Sequence, residues 1–401
     1  MGKKLISLNM IVILVFLGGF STVIAQESKQ VGLLSKKQLT LQVKELPELM
    51  PRFKYDTGLT FQYPDAVRGI YVTGHSAGGS RFTQLINLIN NSELNAMVID
   101  IKDDYGNLTY VPNEEDPLHE FGQPFIKDPR AVLEELEKQK IYPIARVVVF
   151  KDSVLAQKKP ELSFKENGSL WKNRREEAFV NPFMKEVWEH NVQIAISAAK
   201  LGFKEIQFDY VRFPEGFEKR DQTLTYNEGE YASLEEDNVQ KRVKAVTDFV
   251  AYAKEQLKPY DVDVSVDIFG YSATLPEAPG IGQNFSKISS HVDVISSMIY
   301  PSHWTSYFGI AKPDLEPYRL VSEYAKVENQ ILSKLENRPT SRPWIQDFTA
   351  SYLGSGNYRV YGKKEVEDQI RALNEQNINE FLLWNAGNSY TENVDYTPLS
   401  N

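Results

Sequence analysis

The sequence contains no cysteine. Disulfides and thiolate metal sites are therefore excluded, and the chain must be held by packing, hydrogen bonds and charge. Histidine is scarce, at 5 of 401 residues. His75, His119, His190, His291 and His303 are scattered, with no two at the spacing that puts ligands on one helix face. That argues against a zinc hydrolase such as a polysaccharide deacetylase. Asp100, Asp103 and Asp104 cluster in DIKDDYG, but not with the spacing of an EF-hand calcium loop. Phosphate cradles are missing as well, because Gly78-Gly79 is not followed by the G-K-[ST] of a P-loop. Lysine and arginine are spread along the chain rather than gathered in a stripe, so nucleic acid is not an expected partner. No cofactor and no metal are expected.

Long apolar runs are also lacking outside the N-terminus. There, Lys3 and Lys4 precede the apolar stretch Ile11 to Phe20, and Val23-Ile24-Ala25 offers a cleavage site before Gln26. Residues 1–25 read as a secretory signal peptide, with an uncleaved anchor as the alternative. Gln26 is not a cysteine, so there is no lipid-anchor signal. Cleavage removes two lysines and no acid, which moves the formal charge from −9 to −11. An acidic exported chain is a poor match for nucleic acid or anionic lipid. A secreted or cell-envelope protein, without stable membrane insertion after cleavage, is the expectation.

What is present is a regular alternation. Residues 26–65 are polar and interrupted by Pro47, Pro51 and Pro64, and read as an extension or linker. From Ala66 onward, apolar β-branched runs alternate with amphipathic stretches. The strand-like runs are 68–73, 95–101, 142–150, 205–211, 262–269, 292–300, 343–348 and 380–385. Near-continuous apolar character suits strands buried on both faces of a parallel sheet. Helical patterns cover 81–90, 129–139, 182–201, 234–257, 315–335 and 364–376, with only the short NFSKISSH between the fifth and sixth strands. Eight such units over residues 66–401 predict an α/β protein, a (β/α)8 TIM barrel. The stretches 103–128, 151–180, 212–233 and 270–288 follow strands and are long. In a barrel those connections build the active face.

The polar residues at strand ends then become the candidate site. The fourth strand ends in Asp209, Tyr210 and Arg212, and the fifth carries Asp267 inside an apolar run. A carboxylate within an apolar strand costs free energy unless it is paired, so each needs a reason to be there. Two on adjacent staves suggest a pair for glycosidic cleavage, one nucleophile or base and one proton donor. A salt bridge, for example from Arg146 or Arg212 to Asp209, is the plainer explanation of either one alone. Asp100, Lys102, Tyr300, His303, Trp304, Gln346, Asp347, Trp384 and Asn385 fall at other strand ends and are candidate sugar contacts. Aromatic faces stack on sugar rings; 21 Tyr, 21 Phe and 5 Trp supply them. Trp188 and Trp344 read instead as core.

One motif competes with this scheme. Gly74-His75-Ser76-Ala77-Gly78 fits G-x-S-x-G, the nucleophile elbow of serine esterases. In those folds several strands precede the elbow, whereas here it follows the first. The stretch fits better as the first strand-to-helix loop, with Ser76 or Ser80 capping the helix near Arg81 and His75 on the active face. A catalytic Ser76 is the third-ranked reading.

The run GFKEIQFDYVRFP, with NAMVIDIKDDYGNLTY upstream and the export signal, resembles the bacterial glycoside hydrolase-like family first catalogued as a domain of unknown function, DUF4015. The resemblance covers roughly Ala66 to Ser389. It implies a glycosidase-like TIM barrel acting on an oligo- or polysaccharide. By analogy with glycosidase barrels, Asp209 on strand four is the nucleophile and Asp267 on strand five the acid/base. Glycosidase acids are commonly Glu, so Asp267 is a departure, and Asp347 on strand seven is a rival acid. A barrel that binds glycan without cleaving it is the alternative function.

Overall fold

The structure is a computed structural model and describes residues 55–397; the signal-peptide reading of residues 1–25 and most of the proposed extension lie outside the described residues. Eight parallel strands close on themselves. They are β1 (Arg68–Val72), β2 (Ala96–Lys102), β3 (Tyr142–Val148), β4 (Glu205–Asp209), β5 (Asp263–Phe269), β6 (Val294–Met298), β7 (Trp344–Gln346) and β8 (Phe381–Trp384). Sequential strands pair from β1 through β6, β8 pairs with both β1 and β7, and Trp344 opposite Met298 closes the ring between β7 and β6. The protein is a TIM barrel. The seventh stave has a lower piece, Thr340–Ser341, that pairs with Val294 and Ile295. Pro343 interrupts the stave; it has no amide hydrogen to donate to a ladder.

The helices are α1 (Gly74–Ala77), α2 (Arg81–Asn90), α3 (Pro129–Lys138), α4 (Ser153–Lys158), α5 (Lys185–Leu201), α6 (Asn238–Leu257), α7 (Phe285–Ser289), α8 (Pro317–Leu332) and α9 (Lys363–Asn374). Their starts are set by local chemistry. Asp128 and Asp237 accept the backbone N–H of Ala131 and Gln240 at the N-termini of α3 and α6, and Pro129 fills the first turn of α3, where no donor is needed. α5 stops at Gly202, whose φ of 125° a side chain would resist. The loop expectation for Ser76 and Ser80 needs correcting. Thr73 caps the short α1 through Ser76 N–H, and Ser80 makes no side-chain cap.

Period-two alternation along each strand divides the apolar residues into two cores. Ile70, Val72, Ile206, Phe208, Val264 and Val266 face outward and join the large core beneath the helices. Tyr71, Val98, Ile144, Trp344 and Leu382 form a separate cluster inside the barrel. The same alternation sends Gln207 and Asp209 of β4, and Ser265 and Asp267 of β5, inward; Gln207 donates across to Ser296 Oγ at 3.2 Å. The N-terminal end is plugged by buried charge. Arg342 donates to both oxygens of Glu205 at 2.7 and 2.8 Å and to Glu380 at 2.8 Å. Tyr63 adds its hydroxyl to Glu380 at 2.8 Å.

Candidate active site

At the other end of the barrel the chemistry converges on Arg146. It lies in register with Asp100 on β2 and Gln207 on β4, and is 1% exposed. A guanidinium so buried must have every donor matched. Nη1 bonds Asp100 Oδ1 at 2.7 Å, Nη2 bonds Asp104 Oδ1 at 2.8 Å, and Nε and Nη2 bond Asp209 Oδ2 at 3.0 and 2.6 Å. Burial opposes the charge, but Asp104, Asp209 and Asp100 outweigh it and hold the Arg146 pKa well above its usual value. Asp100 lies beneath, taking the Tyr71 hydroxyl at 2.6 Å, and burial pushes its pKa up to about 7 against the pull of Arg146.

Asp209 ends β4, and its Oδ1 accepts the N–H of the next residue, Tyr210, at 2.6 Å. Tyr210 turns the chain with φ of 52°, a left-handed conformation that costs a non-glycine residue about 1–2 kcal/mol. The ring is held in place: Lys151 Nζ lies 3.2 Å from its hydroxyl, and the Arg212 guanidinium sits 4.7 Å from the ring centre. These contacts hold the residue in its left-handed conformation against that cost.

Asp267 on β5 has a different environment. It is 1% exposed. Oδ1 accepts Trp344 Nε1–H at 2.8 Å, and Oδ2 has no hydrogen-bond partner among the described residues. Burial, reinforced by the negative charge of Asp209, raises its pKa well above the carboxylate range; the Trp344 bond and Arg146 act the other way. One carboxylate is bound to a guanidinium and the other is driven toward the neutral acid. The two carboxyl groups therefore stand in different electrostatic settings at the mouth of one barrel.

Both aspartates line one cavity of about 700 Å³. Phe269, Tyr271, Trp304 and Tyr307 give it aromatic surface, while Asp104, Arg175, Arg212 and Glu215 give it charge. Trp384 stacks on Tyr71 with ring centres 4.2 Å apart. Among the described residues no group of three or more His, Asp or Glu is arranged to hold a metal ion.

Of the residues expected from sequence, Arg146, Asp209, Tyr210, Arg212, Asp267, Tyr300, His303, Trp304 and Trp384 line this cavity. Asp100 supports it from below. The others lie elsewhere. A register shift at the end of β2 turns Lys102 outward, where it pairs with Asp152 at 2.6 Å and Asn191 at 2.8 Å under the helices. Gln346 is absorbed by Ser302 N–H and Asp314. Asp347 accepts both the N–H and hydroxyl of Thr391, at 2.9 and 2.5 Å. Asn385 donates to the carbonyls of Asp347 and Ser389. His75 is exposed and packs on Phe125, ring centres 3.9 Å apart. Among the described residues no hydrogen bond joins the Ser76 hydroxyl to a histidine or carboxylate.

Trp344, read as core, is buried in the interior cluster as expected and also lines the cavity; Asp104, Arg175, Glu215, Tyr271 and Tyr307 were not singled out as site residues. Trp344 had a usable signal: a buried indole needs an acceptor, and inward-facing Asp267 was available. The loop residues carried none, because loops have no periodicity.

None of the curated proteins matches the chain. Among solved structures, a hypothetical protein from Ruminiclostridium thermocellum is 33% identical, covering 49% of this chain and 96% of that one, at a TM-score of 0.42. The PgaB (BpsB) glycoside hydrolase domain from Bordetella bronchiseptica is 13% identical, covering 80% of this chain and 94% of that one, at a TM-score of 0.56. TtGalA, the alpha-galactosidase from Thermus thermophilus solved with stachyose, is 11% identical, covering 84% and 64%, at a TM-score of 0.50. At these identities the latter two likenesses speak for the barrel fold alone. The DUF4015 model, described as "Putative glycosyl hydrolase domain", matches residues 69–390, which spans the barrel from β1 to just past β8, and the chain belongs to that family.

Proposed function

We propose that the protein is an exported glycoside hydrolase acting on a polysaccharide or cell-envelope glycan, with Asp209 and Asp267 as its catalytic pair. One observation carries this reading: two carboxyl groups in opposed electrostatic settings line one aromatic-walled cavity at the C-terminal mouth of the barrel. Asp209, fixed by Arg146 and Tyr210 N–H, attacks the anomeric carbon. Asp267 gives its proton to the glycosidic oxygen as the bond to the leaving sugar breaks. Water then enters, Asp267 takes its proton, and the bond from Asp209 to the sugar is hydrolysed, with retention of configuration. Asp347 is the weaker acid candidate, because both its oxygens are taken by Thr391 and it does not line the cavity.

The test is a screen of cell-wall and exopolysaccharide preparations for released reducing ends, with wild type and Asp209→Asn side by side. Wild type is expected to release product and the variant to lose at least about a thousandfold in kcat while keeping its fold, as removal of a nucleophile does. An active Asn variant overturns the assignment of Asp209. Glycan binding with no product from wild type replaces the hydrolase with a binding barrel. The anomer first formed, read by proton NMR, decides retention.

A further inference from the structure

The two oxygens of Asp267 are not equivalent, and Trp344 makes them so. An indole nitrogen can only donate. Its hydrogen bond to Oδ1, at 2.8 Å, therefore occupies that oxygen as an acceptor whichever protonation state Asp267 adopts. A carbonyl oxygen accepts better than a hydroxyl oxygen, so the bond favours the proton on Oδ2, the oxygen with no partner among the described residues. Trp344 is well placed to enforce this. It is 1% exposed, it stands in register with Met298 on β6 and Leu382 on β8, and its ring is braced edge-on by Trp384, centroids 5.5 Å apart. It lines the same cavity as Asp267.

We propose that Trp344 is a positioning residue that fixes the proton of Asp267 on Oδ2 and so sets the direction from which the leaving oxygen is protonated. The proposal rests on the reading of Asp267 as the acid. In the forward step the Oδ2–H bond breaks, its proton passes to the glycosidic oxygen, and that oxygen keeps the electron pair of the severed bond to the anomeric carbon. The carboxylate left behind is stabilised on Oδ1 by the same indole N–H. The bond thus does two things: it orients the acid, and it acts against burial and Asp209, which both hold the proton on. The charged and titratable groups facing Asp267 are Asp209 and, lower down, Glu205 on β4, Arg146 on β3, and Tyr300 beyond β6. Beside them the Trp344 indole is neutral and only donates.

The experiment uses 15N,13C-labelled full-length protein and needs no substrate. The indole N–H resonance of Trp344 is identified by its loss in Trp344→Phe. In wild type it is expected to shift with pH as Asp267 titrates, and to stay flat in Asp267→Asn. In Trp344→Phe the 13C carboxyl signal of Asp267 is expected to titrate about one pH unit higher, the size of one lost hydrogen bond to a charged group. Once a substrate is in hand, the same variant should lose about tenfold in kcat with KM changed less than threefold, and the basic limb of its pH profile should move up with the NMR value. A Trp344 resonance flat from pH 4 to 10 in wild type overturns the proposal, and so does an unchanged carboxyl titration in a folded Trp344→Phe. If the resonances behave as expected but no glycan is cleaved, the positioning stands and the hydrolase reading fails.

Discussion

Asp267 has a cost to stability that should be measurable. Its carboxyl group is raised in the folded protein, first by burial and then by Asp209. Between the ordinary carboxylate pKa and the raised one, the folded state binds more protons than the unfolded chain. Stability contributed at this site is therefore intact below the ordinary value and falls as pH rises through the raised one. Asp267→Asn removes that dependence and keeps an acceptor for Trp344. The variant is expected to melt higher than wild type at pH 8, by on the order of a few degrees, with the gap closing toward pH 4. A melting difference that does not change with pH would remove the burial penalty from the account. Tyr210, beside Asp209, shows the same pattern of local cost. Tyr210 accepts a left-handed backbone so that its N–H can face Asp209. The aspartates were legible in the sequence because an acid inside an apolar strand is anomalous. Asp104, Arg175 and Glu215 were not, because an acid or arginine in a polar loop is ordinary, and only folding brings it to a cavity.

At the scale of elements, the strand order was readable from periodicity, and the errors cluster at ends. β4 was expected through Val211 and stops at Asp209, because Tyr210 leaves the extended region. β7 was expected at 343–348 and is found at Trp344–Gln346, with its lower piece beyond Pro343. α5 and α6 begin three and four residues later than the apolar pattern suggested, and for α6 the reason is the Asp237 cap, which fixes the first turn. The GHSAGG segment is instructive at this scale. Gly78 has an ordinary φ of −89°, so its role is not conformational freedom. A Cβ there would fall 1.8 Å from the backbone carbonyl oxygen of Phe125. The glycine lets the β1–α2 connection lie against the loop after β2. Gly78→Ala is therefore expected to destabilise by about 1–3 kcal/mol, as overpacking against an immovable backbone does. A thermal melt unchanged from wild type would show that the loop yields.

For the barrel, the candidate site and a buried charge cluster occupy opposite ends. The C-terminal mouth holds the aspartates, and the N-terminal end is stopped by Arg342, Glu205 and Glu380, with Arg342 and Glu205 fully buried. Arg342→Met would strand two buried carboxylates, a change that typically costs about 3–5 kcal/mol. The urea midpoint should fall accordingly, while the fraction that remains folded retains full activity. A variant with normal stability but lost turnover would mean that the two ends communicate. That plug was invisible in sequence: Glu205, Arg342 and Glu380 lie far apart in the chain, and each stands at the start of a strand, where polar residues are common.

The seam of the barrel carries a further consequence. β7 meets β6 at a stave broken by Pro343, and the pairing at the top of that joint is Trp344 opposite Met298. Trp344 comes from late in the chain and Asp267 from the middle. A ribosome that has delivered everything through β6 has made both aspartates but not the indole that orients the second. The nascent chain carries Asp267 without its indole partner until the ring shuts, so the hydrogen bond that fixes this carboxyl group forms with closure of the barrel rather than with synthesis of the residue itself.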